Sequence, residues 1–468
     1  MSSAIFYHER LNFVLRGPAL ISILLLVVAF AYAGWSGDRW RDAQLDSVNS
    51  FEAQKLEALA AYRAELAEIE SGAKEPGPFD ANPMSITIPA VLPPASLADF
   101  AVGHADLHPA SAEISTWRNL SSVFGRYQFD NPTTLSATSF DLALVVIVLM
   151  PVVMIAVSFD ALASERARGT LAMILTSPVT LSRLVWTRLA IRNGLVWLVA
   201  VLAMLVLAVV NDGGGDRMAR LVLWLGTSLL YAFFWFATIA FCVARFRSAT
   251  ATAGSLVGLW LLFTLALPAT FATLAESMYP TPSRLAFLSE IREAQGDTNR
   301  NLAKLTEGFL MDHPDLTVGD EGMPSYLRAA FLSNEAARES TRPIVEAYDS
   351  ARDGRDQTIR WAQYLSPSII AQRLLMQSAG ADLGRQFRFQ GQVHAALADL
   401  AATVGPAVVS RNRMALADFD QLRPFTFADV STGQIARQAL FPVAFLFALS
   451  LAIAVSAHRL LGRDRLRE

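Results

Sequence analysis

Six uncharged apolar stretches decide most of what this chain can become. They are Gly17–Trp35, Leu142–Phe159, Asn193–Val210, Leu221–Ala244, Ser248–Ala275 and Gln438–Ala457. At about 1.5 Å per residue, each covers most or all of the roughly 30 Å of hydrocarbon in a bilayer. A helix satisfies its own backbone in lipid, so each stretch predicts a transmembrane helix. With flanking residues the six spans are set at 17–35, 140–160, 191–210, 219–244, 248–275 and 438–457. The first has basic flanks (Arg10, Arg16) and an Ala31-Tyr32-Ala33 site, as a signal peptide also has. Its apolar run is long for a signal, so an uncleaved span is expected. Residues 1–16 mix Ile5, Phe6, Leu11 and Phe13 with His8, Glu9 and Arg10, which predicts an interfacial helix before Gly17-Pro18. The expected fold class is an all-α membrane protein.

Arginines beside the spans set the orientation. With the N-terminus inside, the cytoplasmic pieces carry Arg10 and Arg16; Arg166, Arg168, Arg183, Arg188 and Arg192; Arg245 and Arg247; and Arg459, Arg463, Arg465 and Arg467. The short opposite loop, Asn211–Arg220, sets Asp212 and Asp216 against Arg217 and Arg220. Both termini, 1–16 and 458–468, then face the cytoplasm, as does the loop 161–190. Two large segments, 36–139 and 276–437, face outward.

The first outer segment opens with Leu45, Val48, Phe51, Leu56, Leu59, Tyr62, Leu66 and Ile69 at mostly three- and four-residue steps. That pattern predicts a helix continuing out of the first span. Gly72 stops it, and a short strand is expected at Met84–Ile88. The second segment predicts helices at Pro282–Leu310, Tyr326–Leu365, Pro367–Gln377 and Gly384–Thr403, punctuated by Ser325 and Ser366-Pro367. Together the two segments are expected to form one mostly helical domain above the membrane.

Several chemistries find no support. The three lysines, Lys55, Lys74 and Lys304, follow no glycine, so there is no loop of the GxxxxGK[ST] kind to cradle nucleotide phosphates. No span has an ionisable side chain at its middle, where ion-coupled carriers usually keep one. A net charge of −3 gives no reason to expect nucleic acid, and a single cysteine, Cys242, gives no thiolate metal site. His104 and His108 have i, i+4 spacing, but Gly103 and Pro109 flank them and no third ligand follows. No nucleophile–base pair or carboxylate dyad stands out. The chain is therefore expected to be no enzyme and to hold no cofactor or metal. If it moves anything uphill, the energy comes from another subunit.

One stretch could receive that energy. After the second span the chain reads "SERARGTLAMILTSPVTLSRLVWTRL", from Ser164 to Leu189. Gly169-Thr170 interrupts a helical pattern in which Leu171, Ile174 and Leu175 share a face. Ser177 and Pro178 can start a new helix, with Leu181, Leu184, Val185 and Leu189 as its apolar stripe. Topology alone needs arginines; it does not need this order of Glu165, Gly-Thr and Ser-Pro.

This pattern resembles the first cytoplasmic loop of ABC-2-type permeases, where a Glu, a Gly-Thr pair, a Leu-rich turn and Pro-Val precede the third span. The six spans with both ends inside agree. "YPTPSRLAFLSEIREAQ", "DHPDL", "SPSIIAQRLLMQSAG", "DFDQLRPFTF" and "FDNPTTLSATSFDLALV" resemble a subset with large extracytoplasmic domains after spans one and five. The resemblance implies a permease subunit of an ATP-driven exporter in a bacterial inner membrane, with two periplasmic segments. It implies two copies of an ABC ATPase, which bind the ATP and Mg, and a second copy of this permease or a related one. It assigns ATPase coupling to Glu165, Arg168, Gly169, Thr170, Leu171, Leu175, Ser177 and Pro178. Where many members have an acidic residue after Gly-Thr, this chain has Leu171-Ala172. Spans one and five would line the dimer seam. Gly254 and Gly258, beside Ala251 and Ala253, form a small-residue face that suits either that seam or packing within one subunit. A different reading keeps the ATPase but has the outer domain move without any substrate crossing the bilayer.

Overall fold

The architecture is known from a computed structural model, which describes residues 17–103, 108–118, 140–176, 180–210, 214–280 and 322–463, with short pieces between them. The interfacial helix expected at 1–16, the tail from 464 and most of the helix expected at Pro282–Leu310 lie outside the described residues.

The first helix, α1 (Gly17–Glu70), runs unbroken from the first apolar stretch through the predicted outward pattern, 54 residues and about 80 Å. Gly72, at φ 74°, ends it. Two internal glycines let other chain segments come close. Leu207 fills the space beside Gly34, and the Asp99 carbonyl lies where a Gly37 side chain would begin. The outer half of α1 leans on a two-stranded antiparallel sheet, β1 (Ile88–Val91) with β2 (Ser111–Ile114), in register Ile88 to Ile114. The strand expected at Met84–Ile88 is displaced: Asn82 caps a 3-10 turn at Pro83–Ser85, and pairing starts only at Ile88. The fold is thus mostly helical rather than all-α.

The second apolar stretch is α2 (Leu142–Leu144), a π turn (Val145–Leu149) and α3 (Met150–Ser158). Two short helices follow, α4 (Ala163–Arg168) and α5 (Thr170–Leu175). Next come α6 (Leu181–Val210) and α7 (Gly214–Arg245). The fifth stretch is α8 (Ala249–Leu261), a second π turn (Leu262–Ala266) and α9 (Leu267–Met278). Beyond it lie α10 (Ser325–Ala362), α11 (Pro367–Ala379), α12 (Leu383–Val409), α13 (Leu416–Phe419) and α14 (Thr432–Arg463).

Among the described residues, seven helical segments are long and apolar enough to cross a membrane, the mark of a multi-pass membrane protein. Six contain the expected stretches; the seventh, Leu383–Val409, is α12. Its stripe Phe389, Val393, Leu397, Leu400 and Val404 is buried against both strands and Leu66 of α1, in a core separate from that of the other apolar helices. The main core gathers α1, α3, α6, α7, α8 and α14 around Trp224, Tyr231 and Trp235 of α7, all fully buried.

That core also contains α11, which the sequence placed in the outer domain. Ile370, Leu374 and Leu375 of α11 pack among the apolar helices. Two prolines explain how α11 is anchored. Pro151 and Pro268 have no N–H to return to the preceding turn, and a π turn precedes each. Carbonyls in both turns find hydroxyls instead: Tyr231 donates to Ile147 at 3.1 Å, and Ser366 to Phe263 at 2.7 Å. Ser368 of α11 joins Tyr231 (2.9 Å) and Thr264 (3.3 Å). Four helical segments thus meet in one hydroxyl cluster deep in the bundle.

Candidate functional site

The loop after α3 runs as helix, glycine, helix, with the expected interruption at Gly169-Thr170 falling between α4 and α5. Gly169 adopts φ 70°, the left-handed cap that only glycine takes without strain, and its N–H bonds to the Arg166 and Glu165 carbonyls. Among the described residues no neighbouring atom would meet a β-carbon there, so the glycine serves the turn. Leu171 is buried in the main core and holds α5 against the bundle. Arg168 is exposed, and Met173 projects with 74% of its surface free. Leu175 ends α5, while its side chain, like Ser177 and Pro178, lies outside the described residues.

Glu165 does not point outward. Thr170 Oγ1 donates to its Oε2, and Arg188 Nη2 donates to its Oε1 at 3.1 Å. Arg188 Nη1 also donates to the Ala161 carbonyl at 3.0 Å. One turn along α6, Arg192 Nη1 meets Asp160 Oδ1 at 2.7 Å and the Val157 carbonyl at 3.1 Å. Asn193 donates to Ser158 Oγ at 3.0 Å. Both guanidiniums are buried, so removing either carboxylate would leave a costly buried charge. The sequence marked Arg188 and Arg192 only as topology-setting cations. Their spacing of four, facing Asp160 and Glu165 across the loop, was the signal that could have paired them. The element α4–Gly169–α5 is thereby fastened to the start of α6.

Two further tethers reach neighbouring segments at the same end of the bundle. Arg166 Nη1 approaches the Phe246 carbonyl between α7 and α8 at 3.5 Å, and Ser182 Oγ pairs with His458 Nδ1 of α14 at 3.0 Å.

A second charged cluster sits at the opposite end of the bundle. Arg217 grips the Asp99 carboxylate with two hydrogen bonds, 2.9 and 2.7 Å, and both side chains are almost fully buried. Asp216 bonds Arg220 at 2.8 Å and also Thr432. Asp429 accepts from Arg385 at 2.7 Å, with Arg388 at 3.5 Å and Arg220 at 3.9 Å. Arg385 reaches the Pro93 carbonyl at 2.8 Å. Burial alone would raise the Asp429 pKa, but the cations of Arg385 and Arg220 and the bonds from Arg385 and the Val430 N–H outweigh it and hold the carboxyl below its ordinary range. This joint ties the 93–99 loop, α7, α12 and the start of α14. In the sequence, Asp216, Arg217 and Arg220 show only a loop of mixed charge.

Gly254 and Gly258 are exposed, and a β-carbon added at either would meet no atom within 4 Å. Packing among the described residues therefore does not use this face. Among the described residues no group of His, Cys, Asp and Glu could hold a metal ion; His104 lies outside them.

A family model described as a domain of unknown function (DUF3526) matches residues 284–428, less than a third of the chain. The matched region takes in α10 to α13 and Arg385 of the outer joint, but not the loop after α3. A search of curated proteins finds no match.

Proposed function

We propose that this chain is the permease subunit of an ATP-driven ABC exporter. A separate ATPase, in two copies, supplies the energy, binding ATP and Mg itself. The observation that carries this reading is the fastened loop: a helix–glycine–helix element tied to α6 by Arg188 and Arg192, with Arg168 and Met173 left outward. A push on such an element passes to a transmembrane helix instead of being lost in a flexible loop. Glu165 then positions the element, and Arg168, Gly169 and Met173 are the side offered to the ATPase.

In this reading six helices span a bacterial inner membrane, with both termini cytoplasmic and the two long segments periplasmic. The burial of the apolar stripe of α12 against strands supports leaving it outside the bilayer. The uncovered Gly254 and Gly258 suit close approach by a second permease, either this chain or a relative. No catalysis is assigned to the chain itself.

One feature favours the reading in which the outer domain moves without transport. The helix α1 carries the first apolar stretch into the outer core without a break, and the Asp99–Arg217 pair lies beside it. Such a rod transmits motion.

Co-purification with the ATPase and measurement of its hydrolysis tests the main reading. Glu165→Arg sets a cation against Arg188, so coupling between permease and ATPase is expected to fail. Unchanged complex formation and unchanged hydrolysis in this variant would refute the assignment.

A further inference from the structure

We infer that the elbow between α10 and α11, Trp361 to Leu365, is inserted in the outer leaflet and contacts phospholipid, although it belongs to the segment the sequence assigns to the outer domain. This rests on the reading that α8 and α9 span the bilayer.

The last turns of α10 run alongside α9. At the upper end Arg355 Nε donates to the Tyr279 carbonyl at 2.7 Å. At the lower end Ser366 Oγ bonds the Phe263 carbonyl at 2.7 Å. Ser248 caps the inner end of α8, and Phe263 lies fifteen residues beyond it. That places Phe263, and Ser366 with it, about 22 Å along the helix, inside a hydrocarbon layer of about 30 Å. Trp361 precedes Ser366 by five residues, which puts it about 7 Å further out, at the edge of that layer.

At that depth the elbow presents apolar side chains outward. Trp361 is 71% exposed and Leu365 62%. Tyr364, between them in sequence, packs edge-on against Phe441 and Phe445 of α14, with centroids 5.4 and 5.1 Å apart. The exposed elbow is therefore continuous with the exposed Leu440 and Phe441 at the outer end of α14. Tryptophan favours the layer between acyl chains and headgroups. Arg360 pairs with Asp356 but keeps most of its side chain exposed, which suits the phosphate level just above Trp361. In water the same elbow would expose a Trp and a Leu with no gain.

The test uses full-length protein in vesicles of phosphatidylethanolamine and phosphatidylglycerol. Single spin labels are placed by Trp361→Cys, Leu365→Cys, Leu265→Cys and Asp353→Cys in a Cys242→Ala background, and collisions with oxygen and with a water-soluble nickel chelate are compared. Leu265, exposed on the second π turn, calibrates lipid, and Asp353, exposed on α10, calibrates water. Leu365 is expected to match Leu265, and Trp361 to meet the chelate several-fold less often than Asp353. As a second readout, Trp361→Phe should remove part of the fluorescence that lipids brominated near the headgroup quench. Chelate access at positions 361 and 365 equal to that at 353, with 265 in lipid, overturns the inference and leaves the spanning reading intact. Chelate access at 265 as well overturns both.

Discussion

The two ends of the bundle solve the same problem with the same chemistry, but over different sequence distances. The inner loop pairs Glu165 with Arg188 and Asp160 with Arg192, partners joined by one short stretch of chain. The outer joint pairs Asp99 with Arg217 and Asp429 with Arg385 and Arg220, partners drawn from four separate parts of the chain. The inner pairs stiffen one element that a partner could push. The outer pairs hold together segments that would otherwise be connected only through long excursions. The first arrangement is a local device; the second ties the 93–99 loop, α12 and the start of α14 to α7.

That contrast yields an ordered set of expectations. The largest effect is expected at the outer joint. Asp99→Ala leaves Arg217 buried without its carboxylate, at a cost of about 3–5 kcal/mol, read as a large drop in thermal stability in detergent or nanodiscs. At the inner loop, Arg188→Leu strips Glu165 and the Ala161 carbonyl of a donor, which costs about 1–3 kcal/mol. Here the loss should be local: faster hydrogen exchange over 163–175 with the global transition little changed. A global collapse from Arg188→Leu matching that of Asp99→Ala would erase the distinction between the two ends.

Smaller still is Gly169→Ala, which forces a side chain onto the left-handed cap for about 1 kcal/mol. No neighbour touches this glycine, so the effect should appear in the loop's exchange alone. Acidity separates the ends as well. Asp429 is held below its ordinary pKa, so it contributes stability above the unfolded value of about 4 and loses it as the pH falls through the lower folded value. The outer joint should therefore loosen only in acid below about pH 4, seen as proteolytic sensitivity around 420–432, and a loosening between pH 6 and 8 would contradict this.

How far the sequence could be read follows from the same contrast. The apolar stretches become helices because hydropathy over some twenty residues is a local property. The interruption at Gly169 was legible for the same reason, since a left-handed helix cap needs no distant partner. Pairing across the chain was not legible. Nothing near Asp99 in the sequence points to Arg217, and nothing near Asp429 points to Arg385. The helix α11 misled in another way. Its Ser366-Pro367 start was read correctly, but its burial depends on carbonyls freed by Pro151 and Pro268 in other helices. The helix α12 is apolar enough to span, yet the sequence sets Gly384–Thr403 in the second long segment, and the strands that cover its stripe come from the first.

The central claim is that the fastened inner loop receives the ATPase. The most direct measurement is the affinity of the purified permease for that ATPase, compared between the native chain and Arg168→Glu with Met173→Glu. Both side chains are exposed, and Arg168 touches the Glu165–Arg188 pairing only through its charge. The account predicts that binding is lost while the permease keeps its thermal stability. Undiminished binding by the double variant would contradict it.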